Sequence, residues 1–581
     1  MAEIALIDTS LRDGNQSTWG AVGIDTAMTL TIAPVMDRVG FKAIDFTTST
    51  HMGIAVRYKR EDPWERIRLM AAATPNTPLQ FMSTGFRFIS WETASPEFMA
   101  LAFEVLARNG IRRFCLADPM NDAESNVACA RMVKRVGGEF VIAALVFTLS
   151  PIHDDRHYAQ AARKLAACPE VDAIYIKDPG GLLSPRRAST LIPAVKAAIG
   201  AKPLELHSHC TIGLGELLYM DAVEYGVSAL QCASGATADG ISNPPSLRVA
   251  ENLRALGHTV PVDIEALTEV NRFFTRIAEA EGLAVGATQP FDAGYLRHQL
   301  PGGMIGTMRR QLAEQGLAHL EGAVIEELAR VREELGWPIV MTPFSQILLT
   351  QAFLNVTGRE RYAAIPDEAI RYALGRFGRP NVPIAPEVME RIESLPRTRE
   401  LRAEPAMPPI AELRARLGRE LSDEELLLRA TMPATQVDAM RAAGPAALHY
   451  DPESKPVMEL LRRVLKLRGV SELSVVKSDF KLELRGGTGS RTLPALVRSC
   501  RAAWRAGPQR CRAWCSTSTG RCSSATARSM ATKCCRERSR CSRPSRRGTC
   551  PSRCSPTAVL TRRRSRPRSC ARWDSRSMTS R

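Results

Sequence analysis

The chain has 581 residues, 45% hydrophobic and 24% charged, with a formal net charge of +17. That length suffices for two to four domains with sizeable cores. No run of 18 or more apolar residues is present, which argues against a membrane-spanning helix. The positive charge is local: residues 487–581 carry 24 Lys and Arg against 2 Asp and Glu, whereas residues 1–486 carry 54 against 59. The small acidic excess of the body argues against a nucleic-acid-binding function for it.

Met1-Ala2-Glu3 leads directly into an apolar run without a basic leader, and only five Cys fall in residues 1–486. Both features fit a cytoplasmic protein in a reducing compartment. Apolar, β-rich runs then recur about every thirty residues: Ile4–Asp8, Ala43–Phe46, Leu79–Met82, Arg112–Ala117, Phe140–Phe147, Ala173–Lys177, Leu204–His209 and Ala229–Ala233. Helical patterns lie between them, such as Pro96–Asn109 and Arg186–Ile199, the latter opened by Ser184-Pro185 as cap and first-turn residues. Eight strands alternating with helices argue for an α/β fold of the (β/α)8 TIM-barrel type, with a doubly wound open sheet as the alternative. The barrel is favoured because Asp13, Asp118, Lys177, His207 and His209 fall at or just beyond strand C-terminal ends. Those ends form the active-site face of such barrels.

From about Val260 the pattern becomes mostly helical, a C-terminal extension to the barrel. Glu265–Ala280, Glu321–Leu335 and Phe344–Asn355 read as amphipathic helices, punctuated by Leu300-Pro301-Gly302-Gly303-Met304 and by Leu374-Gly375-Arg376-Phe377-Gly378-Arg379-Pro380. A charged helical segment over 396–455 contains a helix start at Leu421-Ser422-Asp423-Glu424-Glu425. Val457–Arg468 reads as a helix and Glu472–Leu484 as two short strands. The expected organisation is a barrel over 1–260, a helical extension over 261–395 completing the active-site mouth, a helical and small β segment over 396–486, and a tail over 487–581.

His207 and His209 alternate along one strand and so share a face. Two imidazoles on one face suit a divalent transition metal, against the plainer reading of two hydrogen-bonded strand-end histidines. Asp13 adds an oxygen donor from the first strand, which closes next to the eighth in a barrel. A protonated Lys177 cannot ligate metal. Deprotonated, it can take up CO2 as a carbamate that offers oxygens, though on spacing alone pairing with Asp178 is the simpler reading.

Several separated motifs occur in one order: Asp8-Thr9-Ser10-Leu11-Arg12-Asp13-Gly14-Asn15-Gln16-Ser17, Ile176-Lys177-Asp178-Pro179-Gly180-Gly181-Leu182-Leu183, Leu206-His207-Ser208-His209 and Leu300-Pro301-Gly302-Gly303-Met304. Asp118–Asp122 and Phe147–His153 accompany them. From about residue 3 to about 486 the chain resembles the carboxyltransferase component of biotin-dependent enzymes, the family of pyruvate carboxylase, the oxaloacetate decarboxylase alpha subunit and the transcarboxylase 5S subunit. The resemblance implies transfer of a carboxyl group between carboxybiotin and a small keto acid of the pyruvate or oxaloacetate type. It implies a divalent metal (Zn, Mn or Co) held by Asp13, carbamylated Lys177, His207 and His209, acting as a Lewis acid toward the enolate. Arg12 and Gln16 would contact substrate, and Thr342 in Met341-Thr342-Pro343 would carry the proton between substrate and biotin. An aldolase-type lyase or an acyl-CoA-dependent synthase on the same barrel is the competing reading.

Two departures from the family pattern stand out. Thr84 occupies the position of the family's substrate-clamping Arg, so Arg87 is expected to replace it from a shifted position, and Trp91 stands where a Tyr is usual. Pro179-Gly180 replaces the usual Met-Ala. No Met-Lys-Met occurs, so biotin is expected on a separate biotin carboxyl carrier protein working with biotin carboxylase, and the helical extension is expected to support a homo-oligomer. Residues beyond about Gly487, rich in Arg, Ser and Cys without regular Cys-x-x-Cys pairs, read as a disordered or out-of-frame tail.

Overall fold

The computed structural model describes residues 2–90, 93–300 and 302–452, together with the backbone of residues 472–477 and 480–485. Eight parallel strands close into a barrel: β1 (Ala5–Asp8), β2 (Ala43–Thr48), β3 (Leu79–Ser83), β4 (Ile111–Leu116), β5 (Phe140–Val146), β6 (Ala173–Asp178), β7 (Leu204–Ser208) and β8 (Ala229–Cys232). Closure is made by β1, which pairs with β2 on one side and β8 on the other. All eight expected strands are present, with ends shifted by at most two residues. Helices follow the strands, and their starts are chemically marked. Ser95 Oγ accepts from Phe98 N ahead of helix Pro96–Arg108, and Ser184 Oγ accepts from Arg187 N ahead of helix Pro185–Ile199.

Strand alternation sorts side chains between the barrel interior and the helix layer. On β6, Ala173 and Tyr175 join Met82, Cys115, Ile142, Ala144 and Val146 in one interior cluster. Ile174 and Ile176 instead join the much larger core under the surrounding helices. Burial of this apolar surface is the main stabilising term for the barrel.

A second core builds up between Leu300 and Leu401, centred on helices Glu321–Glu334 and Phe344–Thr357. The chain then returns to the barrel. Helices Ile410–Leu417, Asp423–Thr431 and Ala434–Ala443 place Leu413, Leu426, Leu427, Val437 and Met440 in the barrel's outer core. Trp64 Nε1 donates to Glu424 O at 3.1 Å, and Asn109 Nδ2 donates to Glu424 Oε1 at 3.0 Å. One compact unit therefore ends at Tyr450, and Asp451 opens a second. The high charge of residues 396–450 conceals the few leucines that hold them to the barrel.

In the second unit, β9 (Glu472–Lys477) and β10 (Phe480–Arg485) pair antiparallel with Phe480 opposite Lys477. The expected helix Val457–Arg468 and the tail over 487–581 lie outside the described residues.

Candidate metal centre and active site

After β1 the chain makes a π-helical turn, Ser10–Gly14, in which Gly14 N bonds Thr9 O at 3.0 Å. The turn is anchored from below: Asp8 accepts from Ser10 N at 2.9 Å and from Ser10 Oγ at 2.8 Å. Gly14 is required by close packing, since a Cβ there would stand 2.9 Å from Thr237 Cβ. The wide turn sets Arg12 and Asp13 over the end of the barrel, both buried.

Asp13, His207 and His209 converge there. Asp13 Oδ2 lies 2.7 Å from His209 Nε2 and 3.2 Å from His207 Nε2. The Nζ of Lys177, from β6, lies 3.4 Å from His207 Nε2. Gln231 Oε1, on β8, accepts from His207 Nδ1 at 2.8 Å. That contact suits the tautomer with its proton on Nδ1, which leaves the Nε2 lone pair on the side of Asp13, Lys177 and Asn243. Two lone-pair-bearing groups 3.2 Å apart in a buried site favour a shared cation. Among the described residues, Asp13, His207 and His209 alone form a group of three or more such donors, their ligand atoms all within 4.8 Å of one another. An oxygen and two imidazole nitrogens at this separation fit one divalent ion with coordination positions to spare.

The electrostatics agree. Burial opposes ionisation of Asp13, but the Arg12 guanidinium foremost outweighs it and holds the carboxyl well below the usual carboxylate range. Burial, with Lys177 nearby, pushes His207 down to about 3, so it stays neutral. Burial also lowers Lys177, favouring its neutral, nucleophilic amine.

Arg12 is brought to the site in a supporting position. Its Nε donates to Asp45 Oδ2 at 2.7 Å, one Nη reaches the same oxygen and the other reaches Asp13 Oδ1. The guanidinium thus fixes the Asp13 carboxylate from beneath. Gln16 sits exposed on the short helix Asn15–Trp19 that follows the turn. Ile339 and Met341 pack against the barrel-interior cluster, leaving Thr342 exposed on a strap above it, with a cis peptide to Pro343.

Arg87 departs from expectation. It is buried, its Nη1 donates to Thr84 O at 2.6 Å and lies 3.6 Å from Asp118 Oδ2, and its Nη2 donates to Phe377 O. These contacts tie the loop after β3 to the Leu374–Pro380 segment and turn the guanidinium into the protein. In this structure the guanidinium expected to clamp substrate forms a buried joint. Trp91 lies outside the described residues.

Sequence reasoning missed Gln231, Asn243 and Asp45. Asn243 is held by Thr9 Oγ1 at 2.8 Å and donates to Ser208 O at 3.0 Å, beside His207. A polar residue interrupting an apolar strand, as Asp45 does in Ile44-Asp45-Phe46 and Gln231 in Leu230-Gln231-Cys232, was the available signal.

A closed parallel barrel with a buried Asp–His–His cluster and an adjoining Lys at its C-terminal face defines a metal-binding TIM-barrel enzyme. A family model described as the conserved carboxylase domain matches residues 296–475. The chain is 32% identical over 492 residues to a pyruvate carboxylase subunit of Methanocaldococcus jannaschii, covering 84% of this chain and 85% of that protein. It is 32% identical over 459 residues to the 2-oxoglutarate carboxylase large subunit of Hydrogenobacter thermophilus, covering 78% and 70%. Its fold is similar to that of the carboxyl transferase domain from Rhizobium etli pyruvate carboxylase with pyruvate and biocytin, at TM-score 0.69 and 21% identity over 83% of this chain and 84% of that one. The chain belongs to the carboxyltransferase family of biotin-dependent carboxylases.

Proposed function

We propose that this protein moves a carboxyl group between carboxybiotin and a small keto acid of the pyruvate and oxaloacetate type, with the Asp13–His207–His209 cluster as its metal centre. The observation that carries this reading is the convergence of the three ligand atoms beside Lys177 at the open end of the barrel. Zn, Mn and Co all suit that donor set. A divalent cation held there supplies Lewis acidity that stabilises negative charge on the carbonyl oxygen of the keto acid.

Each side chain then has a task. Asp13 contributes an ionised oxygen, oriented by Arg12. His207 contributes Nε2, its tautomer held by Gln231. The neutral Lys177 amine adds to CO2 and loses a proton, giving a carbamate whose oxygens complete the donor set. As the N–C bond of carboxybiotin breaks, CO2 leaves and the ureido nitrogen keeps the electron pair. That nitrogen takes the Thr342 hydroxyl proton, while Thr342 oxygen removes a proton from the methyl carbon of pyruvate. The resulting enolate carbon bonds to CO2, giving oxaloacetate. Gln16 on the rim contacts the entering keto acid. Decarboxylation of oxaloacetate is the same sequence reversed.

The biotin is delivered by a separate carrier protein, charged by a biotin carboxylase, and the chain works as a cytoplasmic homo-oligomer. Among the described residues no helix is long and apolar enough to cross a membrane. The barrel over 1–260 carries the metal ligands, the helical extension over 261–395 supplies Thr342, and the following segment to 486 completes the carboxylase part.

The test is oxaloacetate decarboxylation by the metal-loaded full chain, with bicarbonate and with or without free biotin. Biotin-stimulated pyruvate formation that disappears in Lys177→Ala supports the reading. A folded, metal-loaded protein with no turnover refutes this substrate and strengthens the lyase or synthase alternative.

A further inference from the structure

Thr342 rides on a strap, Trp337–Pro343, between helices Glu321–Glu334 and Phe344–Thr357. One side chain joins the base of that strap to the barrel rim. Arg332 Nε donates to Pro338 O at 3.0 Å, Nη1 to Leu149 O at 2.8 Å and Nη2 to Thr148 Oγ1 at 2.9 Å. Thr148 and Leu149 lie just beyond β5, and between them and the strand Phe147 N bonds Lys177 O at 2.7 Å. The same rim residues are gripped by Gln299, whose Oε1 accepts from Thr148 Oγ1 at 3.0 Å and from Leu149 N at 3.2 Å.

The surroundings of Arg332 are unusual for an arginine. It is 4% exposed, and its hydrogen-bond acceptors are two carbonyls and a hydroxyl. Burial pulls it down to about 10, with Tyr158 opposing. Burying a cation among neutral acceptors is costly, and only a planar guanidinium offers three donors at the fixed angles this joint uses.

We infer that Arg332 is a positioning residue for proton transfer: by clamping Pro338 to Thr148 and Leu149, it holds the Thr342 hydroxyl in register above the barrel interior. This rests on the assignment of Thr342 as the proton carrier. Ile339 and Met341 seat the strap by packing, but packing alone leaves it free to slide along the interior surface. The three hydrogen bonds remove that freedom.

The experiment compares wild type, Arg332→Lys, Thr148→Val, Thr342→Ala and the double variant Arg332→Lys/Thr342→Ala, all in the metal-loaded full chain. Oxaloacetate decarboxylation is measured with and without free biotin, alongside metal content. Misplacing a reacting group by about 1 Å costs about 100-fold, so Arg332→Lys is expected to lower biotin-dependent kcat by about 10- to 100-fold. KM for oxaloacetate, the biotin-independent rate and metal content should each stay within about twofold of wild type, a split that follows from general acid–base positioning. The double variant should be no slower than Thr342→Ala. Thr148→Val, which removes one of the three acceptors, should show a smaller loss with the same split, and it decides the matter if Arg332→Lys does not fold. Equal loss of both rates, full additivity in the double variant, or wild-type behaviour of the Arg332 and Thr148 variants beside an impaired Thr342→Ala would overturn the inference alone. Wild-type biotin dependence in Thr342→Ala would remove the proton-carrier assignment and the inference with it.

Discussion

Strand β7 presents one inward-facing row, Glu205, His207 and His209, and the two ends of that row serve opposite purposes. At the closed end, Glu205 accepts from Arg113 Nη2 at 2.7 Å with both oxygens and from Lys42 Nζ at 2.8 Å, while Arg113 Nε donates to Gln80 Oε1 at 2.7 Å. Carboxylate and cations use one another up, and Glu205 stays ionised because burial is outweighed by Arg113 and Lys42. At the open end, His207 and, just past the strand, His209 turn their Nε2 atoms toward Asp13 with a lowered Lys177 alongside. The donor capacity there exceeds what the chain itself supplies. A buried polar cluster that closes on itself is a structural plug, whereas one left short of a cation is a binding site.

The largest effect expected from that contrast is on the open end. Asp13→Ala should abolish metal binding and reduce turnover by about 10³-fold or more, since Lewis-acid stabilisation supplies several kcal/mol. Metal analysis and decarboxylation assays check this. The fold should persist, because Arg12 retains Asp45. At the closed end the reverse is expected. Glu205→Ala leaves Arg113 buried without its carboxylate and should cost about 3–5 kcal/mol of stability, read by denaturant unfolding, while the variant that remains folded still binds metal.

A finer cut separates the ligands from what orients them. Gln231→Leu removes the acceptor that fixes the His207 tautomer, and should weaken metal affinity about 10- to 100-fold, measured by competition with a chelator, with little change in unfolding free energy.

The effect smallest at neutral pH concerns the rim. His153 is buried with Ser150 Oγ 2.6 Å from its Nδ1 and Asn381 Nδ2 3.4 Å from its Nε2, and burial, with His157 and Arg332 adding, pushes it down to about 3. Tyr158 packs on the same ring. A histidine lowered from 6.5 to about 3 binds its proton in the unfolded chain first. Its contribution is therefore complete above pH 6.5 and is lost as pH falls toward 3. His153→Asn should flatten the acid limb of stability by about 1.4 kcal/mol per pH unit across that window, read from denaturant midpoints at a series of pH values.

The barrel was legible because its strands are short apolar runs at even spacing, and the open end because strand-end Asp13, Lys177, His207 and His209 break those runs where the chain leaves the sheet. What orients them was not. Gln231, Asp45 and Asn243 act across neighbouring strands and loops, a relation fixed by register and closure rather than by local pattern. The contact of Arg87 with Phe377 O, from a segment nearly three hundred residues away, was equally invisible in the local pattern near the third strand. The return of residues 410–443 to the barrel was hidden for the same reason, since a few leucines and methionines decide it among many charges.

That the open end of the barrel is the metal centre is tested most directly by anomalous diffraction at the absorption edge of zinc, manganese or cobalt, on crystals of the metal-loaded full chain grown with bicarbonate. The expected result is one strong peak in bonding contact with Asp13, His207 and His209, with density for a carboxyl group on Lys177 Nζ. An ion bound elsewhere, with Asp13 and the two histidines in contact only with one another, would contradict it.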